Sequence, residues 1–391
     1  MGTLKIIQIN SASSSFAVKD YENDVYRNWC AQVAFQIKKF YPKLEIECWT
    51  PEKQYKKEKE TVKDNIRFRI FPTSFSIRHS MEISFPMLNA LKEEIKKNKK
   101  LIIHFHEYHS WQVYLLLMFI KKNNNVKIIS QHHGGRNPFG NLKKYVRLIL
   151  FLPIILCTQF LESSLFKKVD IFYALSDEEI NYLKKITPNS KIKFQTMGVG
   201  KDYFRLISKT NARKKLSLEK TKKYVLYIGR IKATKGVKYL IDAMAKFQNK
   251  NIDLLLVGDG PDYYKYKRYV EERGLKNIKF LGAIYNEKKL LYLSACNCFV
   301  LPSFTEGAPV VLMEALARNL PIVATNVGGV NKMIRNGENG IIISLKNTDA
   351  IVNAIKKIIE NPHRDLRKHA FKYRWRNIIK NTVNDYKALM H

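Results

Sequence analysis

The sequence predicts an α/β protein made of two doubly wound halves. Three observations predict it. Short apolar, strand-like runs alternate with helical stretches along the chain. The pattern breaks at a polar, Lys-rich stretch and then restarts. The length of 391 residues suits two domains of ordinary size.

In the first half, residues 4–9 (LKIIQI) read as a buried strand, and residues 25–40 follow with helical spacing. Further strand-like runs lie at 44–49, 66–71, 101–105, 126–130 and 169–174. Alternation of this kind implies a parallel sheet covered on both faces. The polar, Lys-rich stretch from Ser208 to Lys223 separates this half from the next. The second half then offers YVLYIG at 224–229, LLLVGDG at 254–260, IKFLG at 278–282, CFVLPS at 298–303, PIVAT at 321–325 and GIIIS at 340–344. Open α/β sheets bind ligands at the carboxyl ends of their strands, so two such units face to face would place a cleft between them. Near the C-terminus Trp375, Ile378, Ile379, Val383, Tyr386 and Leu389 recur at helical steps and predict an amphipathic helix. The expected domains are therefore 1–207, 208–371 and a helix over 372–391 that packs back on the N-terminal domain.

The composition bounds the partners. An apolar fraction of 46% is ample for packed cores and excludes a disordered chain. The net charge of +35 leaves three readings open: biased composition on solvated faces, attraction to an anionic membrane surface, or nucleic acid. No nucleic-acid-binding module accompanies it, so no nucleic acid partner is expected. Five cysteines without a CxxC pair point to reduced thiols and a cytoplasmic location, where the protein would sit on the cytosolic face of a membrane if it meets one. The N-terminus reads as a first strand rather than a signal peptide. Leu148–Leu161 (LILFLPIILCTQFL) is too short and interrupted for a span, which needs about 20 apolar residues; a buried helix and an interfacial helix behind Lys143, Lys144 and Arg147 both fit.

Candidate chemistry concentrates in the second half. In IGRIKATKG, residues 228–236, Arg230 and Lys235 follow a strand end and precede a helix. A diphosphate requires fixed cations and helix N-terminal N–H groups, and this loop can supply both, although a solvated basic loop looks the same in isolation. In PSFTEGAPVVLMEALARNLPIVAT, residues 302–325, Glu306 follows another strand end. Gly307 permits close backbone approach, Pro309 suits a first helical turn, and Glu314 lies in the helix. The two carboxylates can accept from sugar hydroxyls. Equally, Glu306 could favour a helix N-terminus, and Glu314 could pair with Arg318 four residues on. Asn319 is placed to end the helix in a left-handed conformation.

Taken together the motifs from Tyr224 to Ser344 resemble the C-terminal domain of the retaining glycosyltransferases of family 4, which have the GT-B fold and belong to glycosyl transferases group 1. GR-x4-KG, VGDGP, FLG, LPS-x2-EG-x-P, the Glu306/Glu314 pair, the LP turn, GG and NG occur in family order. The resemblance implies two Rossmann-like domains facing an interdomain cleft. It implies that Arg230 and Lys235 hold the donor diphosphate and that Glu306 contacts the donor sugar near the reacting carbon. Glu314 would bind ribose hydroxyls, Gly307, Ala308 and Pro309 would line the sugar and phosphate site, and Gly282 would lie near the base. It implies transfer with retention, the departing phosphate accepting the acceptor's proton, with no cofactor and no metal; no His/Cys/Asp cluster has metal spacing either.

The resemblance extends into the first half. LIIHFHEYHSW, residues 101–111, places His106 near the cleft, and KIISQHHGG, residues 127–135, makes His133 the match to the family's active-site histidine, with His132 beside it. The family's Gly-rich loop after the first strand is here NSASSSFAVK, residues 10–19, where Ser13 and Ser14 become the candidates for acceptor or cleft contacts. Asn331 stands where the family usually has Glu. The implied activity is hexosyl transfer from a nucleotide-diphosphate sugar to a hydroxyl of a glycan or lipid-linked acceptor. A GT-B epimerase or phosphorylase and an inactive nucleotide-sugar-binding protein are the alternatives. A Rossmann dehydrogenase is disfavoured because no GxGxxG follows the first strand.

Overall fold

The computed structural model describes residues 4–12, 25–77, 81–98, 100–121, 124–134, 160–248, 250–362 and 365–390. They form two compact units, one of residues 1–197 with 376–391 and one of residues 198–375.

The N-terminal unit is built on an eight-stranded sheet of β1 (Lys5–Asn10), β2 (Glu45–Glu52), β3 (Lys59–Lys63), β4 (Ile66–Pro72), β7 (Leu101–His106), β8 (Val126–Gln131), β9 (Ile171–Ala174) and β10 (Lys191–Phe194). The spatial order is β10-β9-β8-β7-β1-β2-β4-β3. Every neighbouring pair is parallel except β3 with β4. A small antiparallel pair, β5 (Phe75–Ser76) and β6 (Glu82–Ile83), follows β4. Strands β1 and β7 are apolar on both faces because helices cover both, and their buried polar exceptions are Lys5, Gln8, His104 and His106.

Helices α1 (Trp29–Phe40), α2 (Phe85–Lys97), α3 (Trp111–Phe119) and α4 (Asp177–Ile186) each start at a side-chain cap, from Asn28, Ser84, Ser110 and Ser176. In α4 the cap is doubled, because Glu179 accepts from the backbone N–H of Leu175 at 2.7 Å. Strand β3 was not expected from the sequence. Its segment KETVK is an exposed, charged edge whose Val62 is 72% accessible, so no burial pattern announces it.

The second unit holds a six-stranded, wholly parallel sheet of β11 (Lys223–Ile228), β12 (Ile252–Val257), β13 (Ile278–Phe280), β14 (Cys298–Leu301), β15 (Ile322–Thr325) and β16 (Gly340–Ile343), in the order β13-β12-β11-β14-β15-β16. Its helices are α5 (Lys209–Lys215), α6 (Val237–Ala245), α7 (Tyr263–Glu272), α8 (Asn286–Ala295), α9 (Val310–Ala317), α10 (Val330–Met333), α11 (Thr348–Glu360) and α12 (Arg367–Ala370). The chain then enters α13 (Trp375–Met390), whose residues from Arg376 onward belong to the N-terminal unit.

Two features differ from expectation. The unit boundary lies at 197/198 rather than 207/208. Residues 198–207 are bound into the second unit: Val199 N donates to Tyr373 O at 2.8 Å, Phe204 packs on Phe371, and Arg318 and Arg367 donate to the carbonyls of Arg205 and Phe204. The stretch from Ser208 to Lys223 does not merely separate the halves either. It contains α5, whose Ala212 packs with Leu291 and Ala295 of α8. Buried Arg213 of α5 donates to Ala295 O at 3.0 Å and Asn297 Oδ1 at 2.8 Å. A polar composition concealed a structural arginine.

Cys30, Cys48, Cys296 and Cys298 are buried free thiols. Ser13, Ser14, Cys157 and residues 148–159 of the apolar segment lie outside the described residues, and the adjoining Phe160 is 79% exposed. Among the described residues no helix is long and apolar enough to cross a membrane.

Candidate active site

In the second sheet the strand order reverses between β11 and β14, which places the loops following these two strands at the topological switch point. Both loops carry sequence-predicted residues. After β11, Gly229 N still bonds Val257 O at 3.0 Å, and the Tyr227 hydroxyl donates to Arg230 O at 3.0 Å. The loop is thereby fixed while the Arg230 side chain projects into solvent, with no ion pair among the described residues.

A short 3-10 turn, Ala233–Lys235, leads to Gly236 at φ +65. A Cβ at Gly236 would stand 1.9 Å from Pro302 O, so only glycine lets the two loops meet. They are joined there by Phe304 N donating to Thr234 O at 2.8 Å. Lys235 Nζ then reaches Glu306 Oε1 at 2.5 Å, and Ser303 Oγ donates to the same oxygen at 2.7 Å. Gly328, at φ +55, seats the next loop against this one, since a Cβ would lie 2.0 Å from Glu306 O. Gly329 N donates to Gly307 O at 2.6 Å.

Helix α9 begins immediately after Gly307, Ala308 and Pro309, with no side-chain cap. Helix-start N–H groups lack an intrahelical partner four residues back; here Leu312 N turns to Pro309 O at 3.0 Å, and Val310 N and Val311 N are the first donors of the turn. Lys235, the carboxylate it holds and the start of α9 thus lie on two loops that meet, and Arg230 stands earlier on the first of these loops.

Glu314, 8% exposed in α9, does not pair with Arg318 as one sequence reading allowed. Arg318 instead donates to Ser294 Oγ and Arg205 O. The partner of Glu314 is Lys289 of α8, whose Nζ lies 2.6 Å from Oε2, and the Tyr203 phenol stands near the same carboxylate. Burial, with the Glu314 carboxylate beside it, pushes the Tyr203 phenol above its ordinary range. Glu306 likewise does more than favour a helix end, being paired with Lys235. Asn319 closes α9 at φ +61, as its sequence position predicts. Gly282, at φ +68 past β13, has open space around its missing side chain, and its carbonyl accepts from Gly258 N at 2.8 Å.

In the N-terminal unit the order reverses between β1 and β7, and the candidate histidines cluster at this second switch point. His106 ends β7; its Nδ1 is 2.8 Å from His133 Nε2, and its Nε2 bonds Gln8 Oε1 of β1. Gln8 Nε2 donates to the Tyr386 hydroxyl of α13 at 2.8 Å, and that hydroxyl lies 2.6 Å from His104 Nδ1. The Trp29 indole stacks on His133 with ring centroids 5.6 Å apart.

Burial holds all three of these imidazoles neutral: His104 is pushed down to about 3, and His106 and His133 fall well below the usual histidine range, with neighbouring histidines adding to the effect. His132 does not join them. In extended backbone adjacent side chains alternate, and His132 turns to Glu179, with Nδ1 2.7 Å from Oε1. Burial raises Glu179 to about 8, and the Glu107 charge adds to the rise. Among the described residues no group of three or more His, Cys, Asp or Glu side chains could hold a metal ion.

Sequence reasoning missed Gln8, Trp29, Tyr203, Lys289 and Tyr386. Gln8 and Tyr386 did carry a signal, as a polar residue inside a buried strand and a hydroxyl on an apolar helical face. Lys289 and Tyr203 carried none.

Two Rossmann-like parallel sheets, each with its candidate residues at a switch point, define the class of protein as a GT-B glycosyltransferase fold. The solved structures agree. Sucrose-phosphate synthase from Thermosynechococcus elongatus superposes with a TM-score of 0.73 at 21% identity, covering 99% of both chains. The HepE protein of Anabaena, solved in complex with UDP, gives 0.71 at 16% identity over 98% of this chain and 100% of that one. Residues 208–376 match the family described as Glycosyl transferases group 1. An uncharacterized glycosyltransferase of Methanocaldococcus jannaschii is 33% identical over 223 residues, 52% of this chain and 56% of the relative. The alpha-D-kanosaminyltransferase of Streptomyces kanamyceticus is 33% identical over 141 residues, 35% of this chain and 36% of the relative. The chain thus spans about half the length of the first of these relatives and about a third of the second.

Proposed function

We propose that the chain transfers a hexose or related sugar from a nucleoside-diphosphate sugar to a hydroxyl of a glycan or lipid-linked acceptor, with retention at the anomeric carbon. The observation that carries this is the Lys235–Glu306 pair at the β11/β14 switch point, beside the uncapped start of α9. The relatives' glycosyltransferase names and the UDP complex of a fold neighbour support the same reading.

In this reading Arg230, Lys235 and the first N–H groups of α9 receive the diphosphate and stabilise the charge that grows on it as the glycosidic bond breaks. Glu306 shares its carboxylate between Lys235 and the donor sugar's hydroxyls. The acceptor hydroxyl attacks the face the diphosphate leaves, and its proton passes to the departing phosphate oxygen, so no protein base is needed. The positive charge comes from side chains and backbone, without a metal. Neutral His133 offers a ring nitrogen for a sugar hydroxyl. Glu314 accepts the ribose hydroxyls, and Gly282, bare of side chain, leaves room for the base.

The net charge of +35 and the exposed Phe160 beside a long apolar run support peripheral contact with an anionic membrane on its cytosolic face. Flotation with anionic vesicles tests this part, and an absence of salt-sensitive binding would count against it.

The activity itself is tested by incubating the protein with a panel of nucleotide sugars and candidate acceptors and analysing the products. Transfer with release of nucleoside diphosphate is expected. A free epimer or a sugar phosphate would replace the transferase reading, and turnover unchanged in Glu306→Gln would overturn the residue roles.

A further inference from the structure

In the proposed reading Glu314 faces a ribose, and three stretches of chain meet around it. Tyr203 comes from the 3-10 turn Lys201–Phe204, Lys289 from the first turn of α8, and Glu314 from the second turn of α9. Lys289 Nζ is 2.6 Å from Glu314 Oε2, and both side chains are largely buried. The same ammonium lies 5.5 Å from the centroid of the Tyr203 ring, and the Tyr203 phenol feels the carboxylate beside it. Lys289 is therefore held between a carboxylate and an aromatic ring rather than forming a chance surface pair.

From this geometry we infer that Lys289 is the positioning residue that gives the site its selectivity for a ribose diol. The inference rests on the reading of Glu314 as the acceptor of the ribose hydroxyls. A carboxylate has about four lone-pair positions, and the ammonium occupies one on Oε2 and fixes the group's orientation. The ammonium only donates, so the positions that remain can only accept. Remaining acceptor positions on a carboxylate held in one orientation match two adjacent hydroxyls. Without Lys289, Glu314 is a nearly buried anion with no ionic partner, and it turns or draws in water. Selectivity for the diol is then lost even though the carboxylate is still present. Tyr203 acts in the same sense more weakly, by steadying both charged ends.

The test uses the full chain and isothermal titration with UDP, ADP and GDP, each against its 2′,3′-dideoxy counterpart. The wild type is expected to favour the ribose form of its preferred nucleotide by about tenfold or more, the order expected for a charged acceptor left without its donors. Lys289→Met is expected to shrink that preference to about threefold or less while leaving affinity for the dideoxy form unchanged, and Lys289→Arg to retain it. Tyr203→Phe, which removes one hydroxyl, gives a partial loss and serves if Lys289→Met does not fold. A merely structural lysine would weaken both nucleotides equally; that result, or an undiminished preference in Lys289→Met, overturns the inference. Glu314→Gln separates the two levels. If it abolishes the preference while Lys289→Met does not, Lys289 has no such role and Glu314 keeps its own. If Glu314→Gln leaves the preference intact, or no diphosphate binds the wild type, the donor-site reading itself falls and the inference with it.

Discussion

Lys235 and Glu306 come from loops separated by a whole run of secondary structure, yet their charged atoms lie 2.5 Å apart, with Ser303 Oγ 2.7 Å from the same carboxylate oxygen. The pair holds the Lys235 ammonium in place at the switch point, and in the proposed reading a diphosphate arriving there competes with Glu306 for it.

Lys235→Ala and Glu306→Gln are therefore expected to lower kcat by about a hundredfold to a thousandfold, the effect of removing one preorganised electrostatic contact from a transition state. Arg230→Ala should act mainly on donor KM together with kcat, since its side chain is exposed and has no structural task among the described residues. Steady-state kinetics with the preferred donor, beside unchanged melting temperatures, checks all three.

Gly236→Ala is expected to destabilise the second unit by about 2 kcal/mol or more, because it combines a left-handed backbone with a hard clash. The added Cβ would lie 1.9 Å from Pro302 O. Urea unfolding followed by tryptophan-independent circular dichroism measures it, and a variant as stable as the wild type would contradict the loop geometry.

Arg213→Met should cost about 3 kcal/mol, because the carbonyl of Ala295 and the amide of Asn297 then lose a buried charged donor. The same denaturation experiment reads it. A free linker would tolerate the change.

The histidine cluster predicts acid sensitivity. His104 titrates near 3 in the folded protein against 6.5 for an ordinary imidazole. The folded state thus resists a proton that the unfolded chain accepts, so stability is whole above pH 6.5 and falls as the pH drops from there toward 3. Each such histidine steepens the loss by about 1.4 kcal/mol per pH unit. His106 and His133 move the same way. Urea midpoints between pH 7.5 and pH 4.5 should show the slope, and His104→Phe should flatten it by about one proton's worth.

Much of this was legible in the residues. Buried parallel strands such as LIIHFH are apolar runs, and Gly236, Glu306 and Glu314 sit at offsets that only a strand–loop–helix unit makes sensible. What was not legible depends on distant partners. KETVK forms β3 because β4 offers it a ladder, not because it has a pattern of its own. Arg213 looks like any lysine-rich surface until Ala295 and Asn297 are beside it. Lys289 lies 25 residues from Glu314 in sequence, and nothing local marks it as that residue's counter-ion. His133 was the sequence's match to the family's histidine with His132 beside it, but nothing in the residues showed that the two part company, one going to Glu179 and the other to His106.

Helix α13 has one more consequence, for biosynthesis. Gln8 and His104 find their shared hydroxyl on Tyr386, and Tyr173 donates to Asp385 at 2.8 Å. While the ribosome is still making residues 198–375, the first unit therefore carries polar groups waiting inside its core, and the second unit can mature ahead of the one translated before it. A nascent chain stalled short of residue 386 should expose that gap to protease, whereas one released beyond it should close.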